Sequence, residues 1–229
     1  MKKAYALFMV TCLVVILMVG FFNLPEIDKE LSNYYIETAV EDTGAINLIT
    51  AILFDYRGFD TLGETTVIFA AAASIAFLAP KKKASMLAAE FTMVVKDIIN
   101  FIIPLLFILG VYFIFYGHLS PGGGFTGGVI LANISILLTI TFGIDYAEEE
   151  LPPMIKSLLE SACASAIVLF GILGIILGSN FLASGQLGFG SGSPGELGSA
   201  TLIPSLNLMI GIKVGAGLAI IFNSMIKED

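Results

Sequence analysis

Tryptophan is absent from this 229-residue chain, histidine occurs once, cysteine twice, and charged side chains make up only 13% of it. Each shortage closes off a class of function. There is no metal cluster, no Ser/His/Asp or Cys/His set and no cofactor fingerprint. The chain is therefore read as no enzyme on its own, with no catalytic residue, metal or cofactor. Cys12 and Cys163 both fall inside apolar runs and lack the spacing of a zinc or redox motif, so they read as two buried thiols. No strand alternation and no basic, aromatic-rich surface is present, which excludes a nucleic-acid partner. Soluble domains carry about 25% charged residues, and this chain has half that. Its net charge of −8 says little about partners, because in a membrane protein the side on which each charge lies matters more than the sum.

What the sequence has in abundance is apolar length. Six stretches are long enough to cross a hydrocarbon layer of about 30 Å, which takes roughly 17 to 25 residues. They run over about 4–22, 62–79, 98–116, 126–143, 158–178 and 203–225. The chain reads as an all-α integral membrane bundle of about six transmembrane helices, a multi-pass protein of the cell membrane. Lys2 and Lys3 ahead of the first run imitate a signal peptide, but no small-residue cleavage site follows, so the run is read as a retained helix. Lysine placement sets the orientation. With a cytoplasmic N-terminus, Lys2, Lys3, Lys81, Lys82, Lys83, Lys96, Lys156 and Lys227 fall inside, and only Lys29 and Arg57 fall outside. That bias puts both termini in the cytoplasm. The acidic Asp145, Glu148, Glu149 and Glu150 then lie in an inner loop, which does not contradict the assignment.

Between the third and fourth runs stands Pro121-Gly122-Gly123-Gly124-Phe125-Thr126-Gly127-Gly128, with His118 and Ser120 just ahead of it. Interior glycine costs a helix about 1 kcal/mol relative to alanine, so helix propensity does not explain this cluster. Freed backbone at membrane depth must be buried in protein or line a cavity. Gly122, Gly123 and Gly124 are expected to be non-helical, with Gly127 and Gly128 starting the fourth span. The motif resembles the PGGGFxGG signature of the B-type subunit (MnhB/MrpB-like) of multisubunit cation/proton (Mrp-type) antiporters, which recurs in respiratory complexes related to membrane-bound hydrogenases. Further upstream, Asp42-Thr43-Gly44-Ala45 reads as a helix start, and 46–56 as an amphipathic helix with Ile46, Leu48, Ile49, Ile52 and Leu53 on one half of the wheel. Such a segment suits a membrane surface or a partner. It ends in Phe54-Asp55-Tyr56-Arg57-Gly58-Phe59-Asp60-Thr61-Leu62-Gly63-Glu64, which resembles the tail of the large A-type subunit of the same antiporters and the E-type subunit of the hydrogenase-related complexes. Two modules are therefore expected in one chain: 1–83, with two spans, and 84–229, with four, joined in the Lys81-Lys82-Lys83 loop.

Four ionisable residues are candidates for an ion path. Lys213 lies in the middle of the last apolar run, where a charge costs about 2.5–3.5 kcal/mol on insertion scales and faces a bundle interior or a wet cavity. Glycines on both sides let helices approach closely. Structural alternatives are snorkelling to an interface or pairing with a carboxylate. Glu64 stands at the mouth of the second span, with Asp60 placed to feed it; the resemblance implies that the glutamate of Thr-Leu-Gly-Glu belongs to an ion route. An interfacial glutamate near a helix N-terminus is the alternative. His118 titrates near neutrality when unperturbed, although a lone histidine at a helix end also serves as a cap or packing residue. Glu90, Lys96 and Asp97 near the third span, and Lys156 with Glu160 four residues later, read as structural, the latter spacing permitting a local ion pair. The Gly/Ser-rich stretch 185–198 lacks the strand and Gly-Lys-Ser/Thr ending of a phosphate loop and is expected to be a mobile outer loop.

The resemblance implies a membrane subunit of a multisubunit Na+/H+ antiporter module, within a respiratory complex of the hydrogenase-related kind, that contributes to or shapes an ion path. Its expected partners are the other subunits, the lipid bilayer, and Na+ or H+ as transported ions. The alternative is a structural scaffold sealing the interface between antiporter-like subunits.

Overall fold

The computed structural model describes residues 2–22, 29–79, 91–177, 180–183 and 192–226, and among these every regular element is helical. The first compact unit is Met1–Tyr34 and holds α1 (Lys2–Phe22) and the start of α2 (Lys29–Thr43). The side chains of α1 described from Leu7 to Val19 are almost all apolar and outward-facing, as in a helix solvated by lipid or by other helices. Its described apolar stretch is Leu7–Gly20.

The second unit, Tyr35–Asp229, holds the other five expected spans. After α3 (Leu48–Ala51) and a π-helical turn over Ile52–Tyr56 come α4 (Gly58–Leu78), α5 (Met93–Phe115), α6 (Gly124–Phe142), a short α7 (Ile144–Glu150), α8 (Pro153–Ile176) and α9 (Ile203–Met225). The starts follow from local chemistry. Pro153 and Pro204 stand in the first turns of α8 and α9, where a missing N–H is harmless. Gly143, at φ 94°, turns the chain out of α6 in a conformation that side chains resist.

α9 is the axis of the unit. Leu206, Ile210, Lys213, Val214, Gly215, Ala216 and Gly217 are buried along it, and α4, α6 and α8 pack around it. Glycines set how close the helices come. A Cβ on Gly128 of α6 would lie 2.6 Å from the Gly211 carbonyl of α9, and one on Gly127 would lie 2.7 Å from the Gly110 carbonyl of α5. Backbone therefore meets backbone at both faces of α6, the packing that small residues permit in membranes.

Three sequence expectations need correction. Asp42–Ala45 does not start a helix: α2 ends at Thr43, and Gly44 leaves it at φ 73°. The next helix starts at Leu48, where the Asn47 side chain accepts the Thr50 N–H. Residues 46–56 are a short helix plus a π turn, and their polar side faces inward. Asn47 and Thr50 are needed there to donate to carbonyls freed at the end of α5, while Ile46 and Ile49 are exposed. Gly124 is the first residue of α6 rather than part of the break, which is confined to Gly122 and Gly123 at φ 151° and 122°. The described part of the Gly/Ser-rich stretch, residues 192–198, consists largely of turns with exposed side chains, and Ser199, Ala200 and Leu202 just after it are buried. Lys81–Lys83 and Glu90 lie outside the described residues.

Candidate functional site

At one end of the second unit, the glycine break is held by amides. Asn47 Nδ2 donates to the carbonyls of Gly117 and Ser120 at 2.8 and 2.9 Å, and Thr50 Oγ1 donates to the Gly117 carbonyl at 2.8 Å. On the other side, the Gly124 N–H donates to Asn207 Oδ1 of α9 at 2.8 Å. Asn207 is fully buried, and its Nδ2 has no partner among the described residues. These donors and acceptors replace the intrahelical bonds that α5 gives up at its end and α6 lacks at its start. They also shape a cavity of about 60 Å³ lined by Thr61, Glu64, Thr65, Gly123, Phe125 and Asn207 among others. The glycine motif, the amide of α9 and Glu64 thus meet at one small cavity large enough for water.

Glu64 is exposed in the second turn of α4, at the lip of this cavity. Asp60, one turn earlier, pairs with Arg57 in a contact open to solvent; exposed pairs of this kind contribute little to stability. Lys213 is 1% exposed, and its ammonium donates to the carbonyl of Thr65, the residue after Glu64. The ammonium also lies 5.5 Å from the centre of the Phe69 ring, within reach of a cation–π attraction. Its counter-charge is Glu160 of α8, 4% exposed.

Glu160 therefore answers to Lys213, not to Lys156 as its spacing suggested. Lys156, 1% exposed, reaches the other way and donates to Ser135 Oγ of α6 at 3.2 Å. It lines an apolar cavity of about 600 Å³ between α5, α6, α8 and α9. A third cavity, about 460 Å³, runs along the C-terminal half of α4 and is lined by Phe69, Ala72, Ala76, Ser157, Glu160 and Ser224 among others.

His118 lies in the turn after α5 and is fully buried. Burial lowers its pKa below 6.5, and the nearby backbone of Glu196, Leu197 and Phe115 acts in the opposite sense. The ring is thus roofed by the segment leading into α9, at the same end as Glu64 but outside the lining of its cavity. Lys96 is half-buried and Asp97 exposed.

The structure brings together Glu64, Thr65, Lys213 and the glycine motif. Sequence reasoning missed Asn207, Asn47 and the role of Glu160. Asn207 carried a signal, an amide inside an apolar run. Asn47 carried one as well, a helix-capping residue ahead of an apolar segment.

Known proteins fit this architecture. Residues 94–220 match the family described as a domain related to the MnhB subunit of Na+/H+ antiporter, and residues 4–91 match the family described as the E-type subunit of MBH (MbhE). An uncharacterized protein of Methanocaldococcus jannaschii is 30% identical over 197 residues, which cover 76% of this chain and 74% of that one. A probable A/B-type subunit of a K(+)/H(+) antiporter from Rhizobium meliloti is 28% identical over 154 residues, 56% of this chain but 15% of that much longer one. Among solved structures, a chain of the membrane-bound sulfane sulfur reductase, an archaeal respiratory membrane complex, superposes with a TM-score of 0.76 at 31% identity, covering 100% of this chain and 99% of that one. A chain of the Mrp complex from Dietzia sp. shares the fold, with a TM-score of 0.70 at 21% identity over 100% of this chain and 26% of the other.

Proposed function

The chain belongs to the family of MnhB-related domains, and on that premise we propose that it is a membrane subunit of a multisubunit cation/proton antiporter module whose residues form part of an ion path. The observation that carries this reading is Lys213: a buried ammonium in mid-span, bonded to the carbonyl of Thr65 beside Glu64. A lysine kept there solely for packing has no need of a water-sized cavity beside its hydrogen-bond partner and a carboxylate. Glu64, with Asp60 before it, is the carboxylate at the entrance, Lys213 modulates the polar path inside, and His118 is the fourth candidate at the same end. Na+ or H+ is the cargo, and other subunits complete the path, because five spans leave much apolar surface outward. The match with the sulfane sulfur reductase chain over nearly its whole length supports a respiratory complex rather than a stand-alone antiporter. On this reading the chain binds no redox centre and catalyses nothing alone. The two modules, 1–83 and 84–229, and the cytoplasmic termini belong to the same proposal.

The test is Glu64→Gln and Lys213→Met in the whole complex, reconstituted in vesicles and read with a pH-sensitive dye and a sodium-flux assay. Both are expected to impair ion movement at normal complex abundance. Wild-type transport in both would leave the scaffold reading, which the outward apolar faces of α4, α5 and α8 otherwise support.

A further inference from the structure

We propose that Glu160 is a second proton port, reached by water from the Ala79 end of α4 and exchanging protons with Lys213, while Glu64 serves the opposite end; this rests on the reading of Glu64 and Lys213 as path residues. Two cavities flank Lys213 along α4. Among the described residues, the smaller is lined by Glu64 as its one charged residue, and the larger, of about 460 Å³, by Glu160. Glu64 and Ala79 are fifteen residues apart on or at the end of one helix, which is about 22 Å at 1.5 Å per residue. The cavities therefore approach the two ends of the span, and Lys213 stands between them.

Glu160 is placed to take up a proton. Its Oε1 is buried and has no hydrogen-bond partner among the described residues, an arrangement that is costly for a carboxylate unless water or a proton completes it. The adjoining cavity offers both space and polarity. At about 30 Å³ per molecule its volume exceeds that of ten waters, and Ser157, Ser161 and Ser224 line it. Gly217 of α9 keeps the approach open, since a Cβ there would lie 2.6 Å from Oε1. Among the described residues, the groups facing the pair are few: Cys163 beside it on α8, Thr65 and Phe69 from α4, and Gly217 from α9.

The step balances with one proton. A proton from cavity water binds the Glu160 carboxylate and cancels the counter-charge of Lys213. The ammonium then releases a proton to water on the Thr65 side, where the Glu64 cavity begins. The free amine takes the proton from Glu160 by way of cavity water, and the two opposite charges are restored. One proton has crossed, and the pair has returned to its starting charge.

The experiment uses the intact complex in proteoliposomes with Glu160→Gln, the doubly neutral Glu160→Gln/Lys213→Met, and Ala76→Cys probed with a membrane-impermeant thiol reagent and read at position 76 by peptide mass spectrometry. Label is expected at position 76 from the side of the 80–92 loop only. Proton movement is expected to fall at least 10-fold in Glu160→Gln. In the double variant, with neither charge left to strand the other, abundance is expected to be normal and transport still at least 10-fold down. Normal transport in the double variant would make the pair structural, and absence of label at position 76 would make the cavity dry; either overturns the port. Glu64→Gln measured alongside separates the two readings. If Glu64→Gln and Lys213→Met each impair transport while Glu160→Gln does not, only the second port falls; if Glu64→Gln and the double variant both transport normally, the path reading falls with it.

Discussion

Replacing Gly124 by alanine puts a methyl group into the backbone of α9. The added Cβ would lie 2.3 Å from the Asn207 carbonyl oxygen and 2.9 Å from its Cα, both main-chain atoms that no rotamer change can move. α6 must back away from α9, and in doing so it stretches the 2.8 Å bond from the Gly124 N–H to Asn207 Oδ1. Overpacking costs about 1–3 kcal/mol, and a hydrogen bond lost between membrane helices about 0.6–2 kcal/mol, so a loss of about 2–5 kcal/mol is expected. A graded series isolates the cause. Gly128→Ala meets the Gly211 carbonyl at 2.6 Å, Gly215→Ala meets the Gly128 carbonyl at 3.3 Å, and Gly63→Ala meets nothing within 4 Å. Damage should fall in that order after Gly124→Ala, with Gly63→Ala neutral or better because alanine favours the helix by about 1 kcal/mol. The assay is the thermal midpoint and yield of the detergent-purified complex. Gly124→Ala as stable as Gly63→Ala would refute the claim that backbone contact between α6 and α9 sets the packing.

Lys82→Cys is expected to react with an impermeant thiol reagent from the cytoplasmic side alone; labelling only from the outside would reverse the orientation. His118 is held neutral by burial below its ordinary 6.5, whereas in the unfolded chain it takes up a proton at about 6.5. Its contribution is therefore complete above that value and lost as pH falls below it toward the depressed folded value. The wild-type complex should lose thermal stability on acidification by more than His118→Gln does, and equal slopes would refute this. Asn47→Asp keeps the acceptor for Thr50 but sets a carboxylate against the Gly117 and Ser120 carbonyls, so it should lower stability by about 1–3 kcal/mol; an unchanged thermal midpoint would count against it.

The spans were legible because hydrocarbon thickness dictates their length, and each expected run in the second unit coincides with a helix to within a few residues. Lys213 was legible for the same reason, as a charge where lipid excludes one. Other features depended on tertiary neighbours. The i, i+4 spacing of Lys156 and Glu160 is a property of one helix, yet α6 draws the lysine and α9 the glutamate. The polar face of 46–56 turns inward because α5 ends in free carbonyls seventy residues on, and no local pattern records that demand. Asp42-Thr43-Gly44 misled because acid, hydroxyl and glycine occur at both ends of helices, and here the glycine closes α2.

The order in which the spans are made has a consequence for biogenesis. More than half of the α9 window is buried in the bundle, 56%, against 11–33% for the other four long spans. It also carries Lys213 and Asn207. A helix of this kind leaves the translocon poorly suited to lipid on its own, and its slot is built from α4, α6 and α8, all synthesised before it. Until α9 arrives, the glycine face of α6 and the Glu160 carboxylate stand open to the membrane. A nascent chain stalled before residue 203 would thus display both a sticky small-residue groove and an unpaired acid, which are features that membrane quality control can read. The last of these helices to be synthesised is the one that fills the slot between the others.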